Sequence, residues 1–503
     1  MRKQRQEEYA GFRMPGIRLS EKITPNVEEH ASEKYTAKLY AIHRFDKAHL
    51  VMLIEEELIP REDGIAMLKA LREMESEGVE KVRLEVQGGS HSGEQYLIRK
   101  LSEEVGGRIH LGRSSGDFSA VSNNIYWRDQ LLDLIDRINQ YRAVLIETGM
   151  QHLETVMLGY THGQAAQPTT YGHQLLAWSL NLGRDVARMR AIFERVNMSP
   201  AGAGILTGTN FPLNRHRTSD LLGFDGPAIN TFDTILQRDL EIEVASVIAI
   251  HGYAMGRQAD DIMMWSTSEF GIIDVPDRFC GTSSIMMQKK NPQATQDIKG
   301  SAADAVGGLM TTFMVEKGPT GMPMLDRRYA GMAITRGFDH AGRNLKWMIE
   351  MVPALEIKKD LMRERAGAFW AQATDIAGAL VSEKGMPWRT AHQIVGILIR
   401  YSDERGFAPK DTTVELLDEA AIEYMGEPVN LSAEALEAAL DPEHFIRSRT
   451  LFGGPGPDEV RRRLPEYEAG LQSDIDWLTR VREAQQASSD SLESAIDALV
   501  NAG

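Results

Sequence analysis

The sequence predicts a mainly α-helical fold built around a bundle of long helices. Three observations carry that reading. Apolar residues recur at three- and four-residue spacing over long stretches, no proline falls between Arg61 and Gln167, and no convincing strand alternation appears. Helices of such length bury their apolar stripes against one another as a bundle.

Taken in order, residues 1 to about 30 are polar, without periodicity, and read as an arm. From Glu33 to Glu77 the pattern is helical through Tyr40, Phe45, Leu50, Leu53 and Ile54, breaks at Pro60, and resumes with Ile65, Leu68 and Leu71. Gly88-Gly-Ser-His-Ser-Gly93 reads as a loop, Glu94 to Glu104 as a short helix ended by Gly106-Gly107. The first long helix runs from Asp117 to about Gly149, a second from Tyr171 to Val196, a third from Thr234 to Trp265 and a fourth from Pro292 to Glu316. The third is apolar on more than one face (Ile242, Val244, Val247, Ile250, Tyr253), the pattern of a helix covered on several sides. Helices this long and apolar commonly continue their core across a subunit interface, so an oligomer is expected. After Pro353 the helices shorten, with one over Leu361–Lys384 and another over Trp388–Tyr401, and the tail from Ala484 is polar.

Composition narrows the function. At 503 residues, with 42% hydrophobic and 25% charged residues, the chain has material for a large core and about three domains. A formal net charge of −16 argues against a nucleic-acid partner, because phosphate binding needs a basic face. A few buried cations still suit an anionic small molecule. The single cysteine, Cys280, excludes an internal disulfide and suits a reducing compartment; its thiol reads as a small apolar side chain. Neither a signal peptide nor a membrane span of roughly 18 uncharged apolar residues is visible, so a cytoplasmic location is expected.

Three loop clusters carry the candidate chemistry. Gly281-Thr-Ser-Ser-Ile-Met-Met-Gln-Lys-Lys-Asn-Pro292 places two serines and two lysines ahead of the fourth long helix. Asn291 fits an N-cap and Pro292 the N1 position, so the site would sit at a helix N-terminus, where free N–H groups favour an anion and Lys289 or Lys290 adds a full charge. Gly112-Arg-Ser-Ser-Gly-Asp117 precedes the first long helix and again suits a carboxylate. Gly159-Tyr-Thr-His-Gly-Gln-Ala-Ala-Gln-Pro168 supplies Thr161 and His162. Each cluster lies beside an end of a long helix, so an antiparallel bundle could gather them.

These residues carry a family resemblance. Gly281–Pro292 resembles the G-S-S-x-M-P-x-K-x-N signature of the fumarase, aspartase and argininosuccinate lyase superfamily. Gly159–Pro168 with Tyr171-Gly-His173 is similar to the argininosuccinate lyase version of the histidine loop, and Gly112–Asp117 to that family's G-R-S-R-N-D. Gly204–Pro212, Leu222–Gly226, Trp265–Phe270 and Ala373–Asp375 through Ala391–Val395 also match, so the resemblance covers roughly residues 30 to 450.

The resemblance implies a three-domain fumarase/aspartase-like fold, divided here as 1–116, 117–365 and 366–503. The long helices of the central domain would assemble as the twenty-helix core of a homotetramer, with each active site drawn from three subunits. It implies elimination of an amine from an N-substituted aspartate to leave fumarate, without metal or organic cofactor. Removing a proton beside a carboxylate creates a doubly charged aci-carboxylate, which preorganised donors and cations must stabilise. Lys289 and Asn291 match positions with that role, and Arg113, Ser114 and Thr161 match further carboxylate partners. Ser283 matches the base, with Ser284 the alternative, and His162 the acid that protonates the departing nitrogen.

Departures from the family pattern fall at several positions. Ser115 and Gly116 stand where Arg and Asn are usual, Gln296 where a Glu orients the histidine, and Thr282 and Met287 flank the serines in place of Gly and Pro. The family's Tyr-Asn-Lys-Asp-x-Gln-Glu-Asp-Lys run is Pro323-Met-Leu-Asp-Arg-Arg-Tyr-Ala-Gly331, which puts Arg328 where Gln is usual. Charge therefore moves from one wall of the implied pocket to another. The substrate expected is a succinylated amine whose amine part itself carries carboxylate, as in the ethylenediamine-disuccinate lyases. Argininosuccinate is the alternative. A non-catalytic relative like the lens crystallins is a third reading, against which the retained Ser283, Lys289, Asn291 and His162 speak.

Overall fold

The computed structural model describes residues 37–236, 238–321 and 326–501, together with Tyr9, Arg18, Ser20 and Glu21. The rest of the expected N-terminal arm and Pro323–Leu325 lie outside the described residues.

The first helices follow the sequence pattern closely. Helix α1 (Leu39–Glu55) and α2 (Arg61–Glu77) are separated at Pro60, and α3 (Val79–Val86) and α4 (Ser92–Lys100) follow. Helix α4 begins inside the Gly88–Gly93 run, so only part of that run is loop. Then come α5 (Ser115–Gln151), strands β1 (Val156–Thr161) and β2 (Gln164–Thr170), α6 (Tyr171–Val196) and α7 (Asp239–Trp265). The expected continuous helix from Thr234 is divided, because Thr231–Leu236 forms a short helix of its own. Short strands β3 (Gly281–Thr282) and β4 (Lys290–Asn291) precede α8 (Gln293–Glu316) and α9 (Arg327–Met351). Helix α9 is a fifth long helix. Its buried stripe uses Ala330, Ala333, Gly337 and Ala341 between Ile334, Phe338 and Leu345, small residues that leave little hydrophobic signal.

Helices α5 to α9 share one core. Neighbours run antiparallel: Gly149 meets Leu176 and Gly183 meets Arg142 between α5 and α6, while Gly252 meets Ala305 and Gly256 meets Ala302 between α7 and α8. Gly256 and Ala302 approach so closely that an added Cβ would stand 3.0 Å from the alanine methyl. Small residues thus set the α7–α8 spacing. On the outer side of the same helices Tyr253, Met310 and Phe313 are 58%, 56% and 45% exposed, and Ile250, Val306 and Met314 are exposed beside them. The multi-sided apolar character of α7 is therefore only partly buried within one chain. A contiguous apolar surface of this kind is the mark of an interface.

The C-terminal part separates into two packing groups. Helices α10 (Ala373–Lys384), α11 (Trp388–Arg405), α12 (Val414–Met425) and α13 (Ala433–Leu440) enclose a small core of Ile376, Leu380, Ile394, Leu398 and Leu417. The segment expected to form one helix over Leu361–Lys384 is broken between Ala366 and Ala373. Helix α14 (Pro457–Asn501) then leaves this group: Leu492, Ile496 and Leu499 join the core of α1, α2 and the start of α5. The tail that reads as polar thus buries a sparse apolar stripe against the N-terminal helices.

Beneath α1 lies a buried ion network. Asp46 accepts from Arg83 at 2.6 Å and from Arg113 at 2.8 Å, all three side chains being inaccessible. Burial alone raises the Asp46 carboxyl, but the two guanidiniums outweigh it and hold it below the ordinary carboxylate range. Asp46→Ala should lower stability by about 3–5 kcal/mol, since it strands two buried cations. A thermal midpoint within a degree of wild type would show that the network is not a main support of the first domain.

Candidate active site

The Ser283 loop is closed by a two-strand ribbon in which Gly281 pairs with Asn291 and Thr282 with Lys290. The expected cap is thereby corrected. Helix α8 starts at Gln293 behind Pro292, without a side-chain cap, and Asn291 is in the ribbon. A residue ahead of proline is driven toward extended backbone, so Asn291 pairs with a strand where a cap had been expected. Within the loop the Ser283 Oγ accepts from the N–H groups of Met286 at 3.0 Å and Ile285 at 3.3 Å. Two donors aimed at one oxygen favour negative charge on it. Ser284 is exposed, with Lys289 exposed at the far end of the loop.

The two lysines divide their work. Lys290 is held by Asp274 at 2.9 Å and Asp277 at 2.8 Å, which raise its pKa, whereas Lys289 makes no ion pair among the described residues. The uncommitted charge is that of Lys289. Cys280 lies nearby, with its thiol pushed up by burial. Below the ribbon a cleft of about 630 Å³ is lined by Arg278, Cys280, Gln293, Gln296, Asp297 and Trp347. Gln296 is exposed there in the first turns of α8.

His162 and Thr161 sit on a β-hairpin, correcting the expectation of a strandless chain. Strands β1 and β2 pair antiparallel, with Thr161 opposite Gln164 and a register shift near Gly159. The two turn residues, His162 and Gly163, have φ of +55° and +72°, the requirement of a tight two-residue hairpin turn. Thr161, His162 and Gly163 are exposed. The hairpin rests on the segment after α7 through Tyr160, whose ring meets Phe270 edge-on at 5.6 Å.

The third cluster opens α5. Ser114 is the N-cap, its hydroxyl facing the Gly116 N–H at 3.4 Å, and Asp117 Oδ1 accepts the Ser114 N–H at 2.8 Å. The assignment of Arg113 to a substrate carboxylate is corrected. Its guanidinium is fully buried, pairs with Asp46 and stacks on Phe118 at 4.3 Å, so it faces the first domain's interior. Ser115 is exposed, and its Oγ lies 2.8 Å from His91 Nε2. Gly116 cannot gain a side chain freely, since a Cβ there would lie 2.7 Å from Ile205 Cδ1 and 3.0 Å from the Gly204 carbonyl oxygen. Arg328, in the first turn of α9, stacks on Tyr329 at 4.9 Å and donates to its hydroxyl at 3.0 Å. It has no carboxylate partner among the described residues, while Arg327 faces Glu316 at 3.8 Å.

These groups occupy two ends of one bundle. The 37 residues of α5 put about 55 Å between Ser114 and the end of the helix that leads into the His162 hairpin. Arg328 is at the Ser114 end, because Tyr126 of α5 packs on Phe338 of α9. The Ser283 loop is at the hairpin end, where α7 finishes and α8 starts. The expectation that a single antiparallel bundle gathers all three clusters is therefore corrected.

Comparison with known proteins follows the same residues. A lyase family model matches residues 31–307, and an argininosuccinate lyase C-terminal model matches residues 370–447. The argininosuccinate lyase of Methanosarcina acetivorans is 36% identical over 458 residues, covering 90% of each chain. The chain belongs to the argininosuccinate lyase family. It is accordingly a carbon–nitrogen lyase of the fumarate-releasing class. The argininosuccinate lyase of Methanothrix thermoacetophila is likewise 36% identical, over 91% of this chain and 93% of its own. Among solved structures, an EDDS lyase in complex with formate superposes with a TM-score of 0.85 at 31% identity over 93% of each chain. Across the described residues of this lyase, no helix is long and apolar enough to cross a membrane.

Sequence reasoning passed over one group beside the site. His91 and His110 meet at Glu94, and His91 also reaches Ser115; the only signal was the Gly88–Gly93 run, read as plain loop. Asp117 was read as part of a carboxylate-binding cluster, whereas in this argininosuccinate lyase relative its carboxyl is itself perturbed. Burial raises it to about 6, against the lowering by the Ser114 N–H and by Arg113. A folded pKa above the unfolded 3.8 means that the native state binds the extra proton between about pH 4 and 6, so stability falls as pH rises through that window. Asp117→Asn keeps the acceptor for Ser114 without the charge. Relative to wild type it should gain roughly 3 kcal/mol between pH 4 and pH 7. Parallel denaturation curves with a pH-independent difference would show that the carboxyl is not strained by burial.

Proposed function

We propose that the protein eliminates an amine from a succinylated amine carrying further carboxylate, with ethylenediamine-N,N′-disuccinate as the model substrate, and releases fumarate. Ser283, as alkoxide, takes the proton from the carbon beside the substrate carboxylate, and the Ile285 and Met286 N–H groups stabilise that alkoxide. Lys289, with Asn291, meets the aci-carboxylate. The carbon–carbon double bond then forms as the carbon–nitrogen bond breaks, and His162 delivers a proton to the departing nitrogen. Thr161, Ser114, Ser115, Ser284 and Gln296 complete the binding surface, with Arg328 on the amine side. The reaction is reversible and needs no group beyond these.

The separation of Ser114 from His162 supports a homotetramer in which each site draws on three chains, as does the apolar outer face of α7 and α8. Ser283→Ala should cut turnover by several orders of magnitude without disturbing assembly, and Lys289→Met by about 10²- to 10³-fold. Mixing inactive Ser283→Ala and His162→Asn chains should restore part of the activity, because some hybrid sites take both residues from unmutated chains. An active monomer in sedimentation would overturn the shared site.

The observation that carries the substrate is Arg328, which has no carboxylate partner among the described residues, combined with the lack of a side chain at Gly116. Burying a guanidinium beside Arg328 without an anion costs several kcal/mol, whereas a carboxylate there gains roughly 1.5–3 kcal/mol. The expected outcome is that kcat/KM for ethylenediamine-disuccinate exceeds that for argininosuccinate by about a hundredfold or more. Fumarate absorbance with each substrate in turn, alongside adenylosuccinate and aspartate, measures it, and Arg328→Gln should narrow the gap. The second reading, argininosuccinate lyase itself, is favoured by the archaeal relatives of that name, and equal or faster cleavage of argininosuccinate would establish it.

A further inference from the structure

The first domain carries a cluster of three potential ligands outside the elimination machinery. His91 Nδ1 lies 3.3 Å and His110 Nδ1 3.1 Å from the same Glu94 oxygen, Oε2. One donor atom from each residue falls within 4.8 Å of the others. Around a tetrahedral ion with bonds of about 2.0–2.1 Å, neighbouring ligand atoms stand about 3.3 Å apart. The spacing already present therefore admits an ion with little movement. The backbone supports it: His91 ends a tight turn, Glu94 follows on the first turn of α4, and His110 closes a 3₁₀ turn (Gly107–His110).

The surroundings add a second feature. Metal-bound imidazoles characteristically engage a polar partner through the ring nitrogen that does not face the ion. His91 meets that condition, with Nδ1 toward Glu94 and Nε2 at 2.8 Å from Ser115 Oγ. Its ring is further held against Phe118 at 5.1 Å and tilted over His110 at 5.2 Å. His91 and Glu94 are largely covered, while the His110 side chain is 37% exposed and leaves an approach from solvent. Two imidazoles and one carboxylate suit zinc and its neighbours in the first transition row over magnesium or calcium, which prefer all-oxygen shells.

We propose that His91, Glu94 and His110 form a binding site for a zinc-type divalent cation, one per chain, with a fourth position left to solvent. Bound there, the ion joins three points of the first domain and, through His91 and Ser115, braces the first turn of α5. It plays no part in the elimination steps proposed above, and its test does not depend on activity.

The test is titration of the chelator-stripped, full-length protein with zinc chloride by calorimetry, repeated with Glu94→Gln and His110→Asn. Wild type should take up one ion per chain, and each variant should bind at least about a hundredfold more weakly. Ser115→Ala should weaken binding about tenfold with unchanged stoichiometry. Cobalt loading should give wild type the visible absorption of a tetrahedral ion, Cys280→Ser should keep that spectrum, and Glu94→Gln should lose it. Circular dichroism establishes that each variant is folded. Glu94→Gln changes one side-chain oxygen into an amide and supplies the test if His110→Asn does not fold. Absence of uptake by wild type, or uptake unchanged in folded Glu94→Gln, would overturn the site.

Discussion

The length of α5 is the constraint on which the candidate site depends. A helix of 37 residues puts about 55 Å between Ser114 and the end that leads into the hairpin, and no side chain spans such a distance. The Ser114 end of α5 and the histidine of one chain therefore cannot meet on one small substrate. The same helices that impose the separation carry an apolar outer face, with Tyr253, Met310 and Phe313 in the open. Under the proposed assembly the two features have one resolution: antiparallel copies packed along that face would bring the Ser114 end of one beside the Ser283 and His162 end of another.

Within each end, local backbone chemistry decides what a residue does. Pro292 drives Asn291 into the ribbon, and the ribbon fixes both ends of the Ser283 loop. That closure turns the Ile285 and Met286 N–H groups onto the serine oxygen. Lys290 is spent on Asp274 and Asp277 in anchoring the ribbon, which leaves Lys289 as the cation without a protein partner among the described residues. At the hairpin, His162 adopts a φ that few side chains tolerate, so its ring stands at the tip of a rigid two-strand support.

What the sequence revealed follows the strength of each physical signal. Long helices with Leu, Ile and Trp stripes were legible almost to the residue, as Tyr171–Val196 shows, because burial imposes their period. Helix α9 was not, because its interface is built from Ala and Gly, which permit close approach without hydrophobic contrast. The hairpin was hidden by a glycine and a proline within it, which usually mark loops but here sit at a register shift and in a two-stranded ribbon. Ser283 and His162 were singled out from local motifs. The burial of Arg113 could not be, since its partner Asp46 lies 67 positions away and nothing local distinguishes a guanidinium facing a core from one facing a substrate.

The packing around Ser115 and Gly116 limits what either position can carry. Any Cβ at 116 would press on the Gly204 carbonyl and the Ile205 side chain, so a polar side chain there requires the 204–205 backbone to retreat. At 115, the hydroxyl is drawn back toward His91, which itself is held by Glu94. A long basic side chain at 115 would have to leave that contact and would stand close to two imidazoles. The first turn of α5 therefore presents small groups and backbone N–H donors, and in the proposed site the positive charge comes from Arg328 on another helix. Under the proposed function, recognition of the amine part depends on an anion that can reach Arg328, which a second succinyl arm would supply and a bare guanidinium would not.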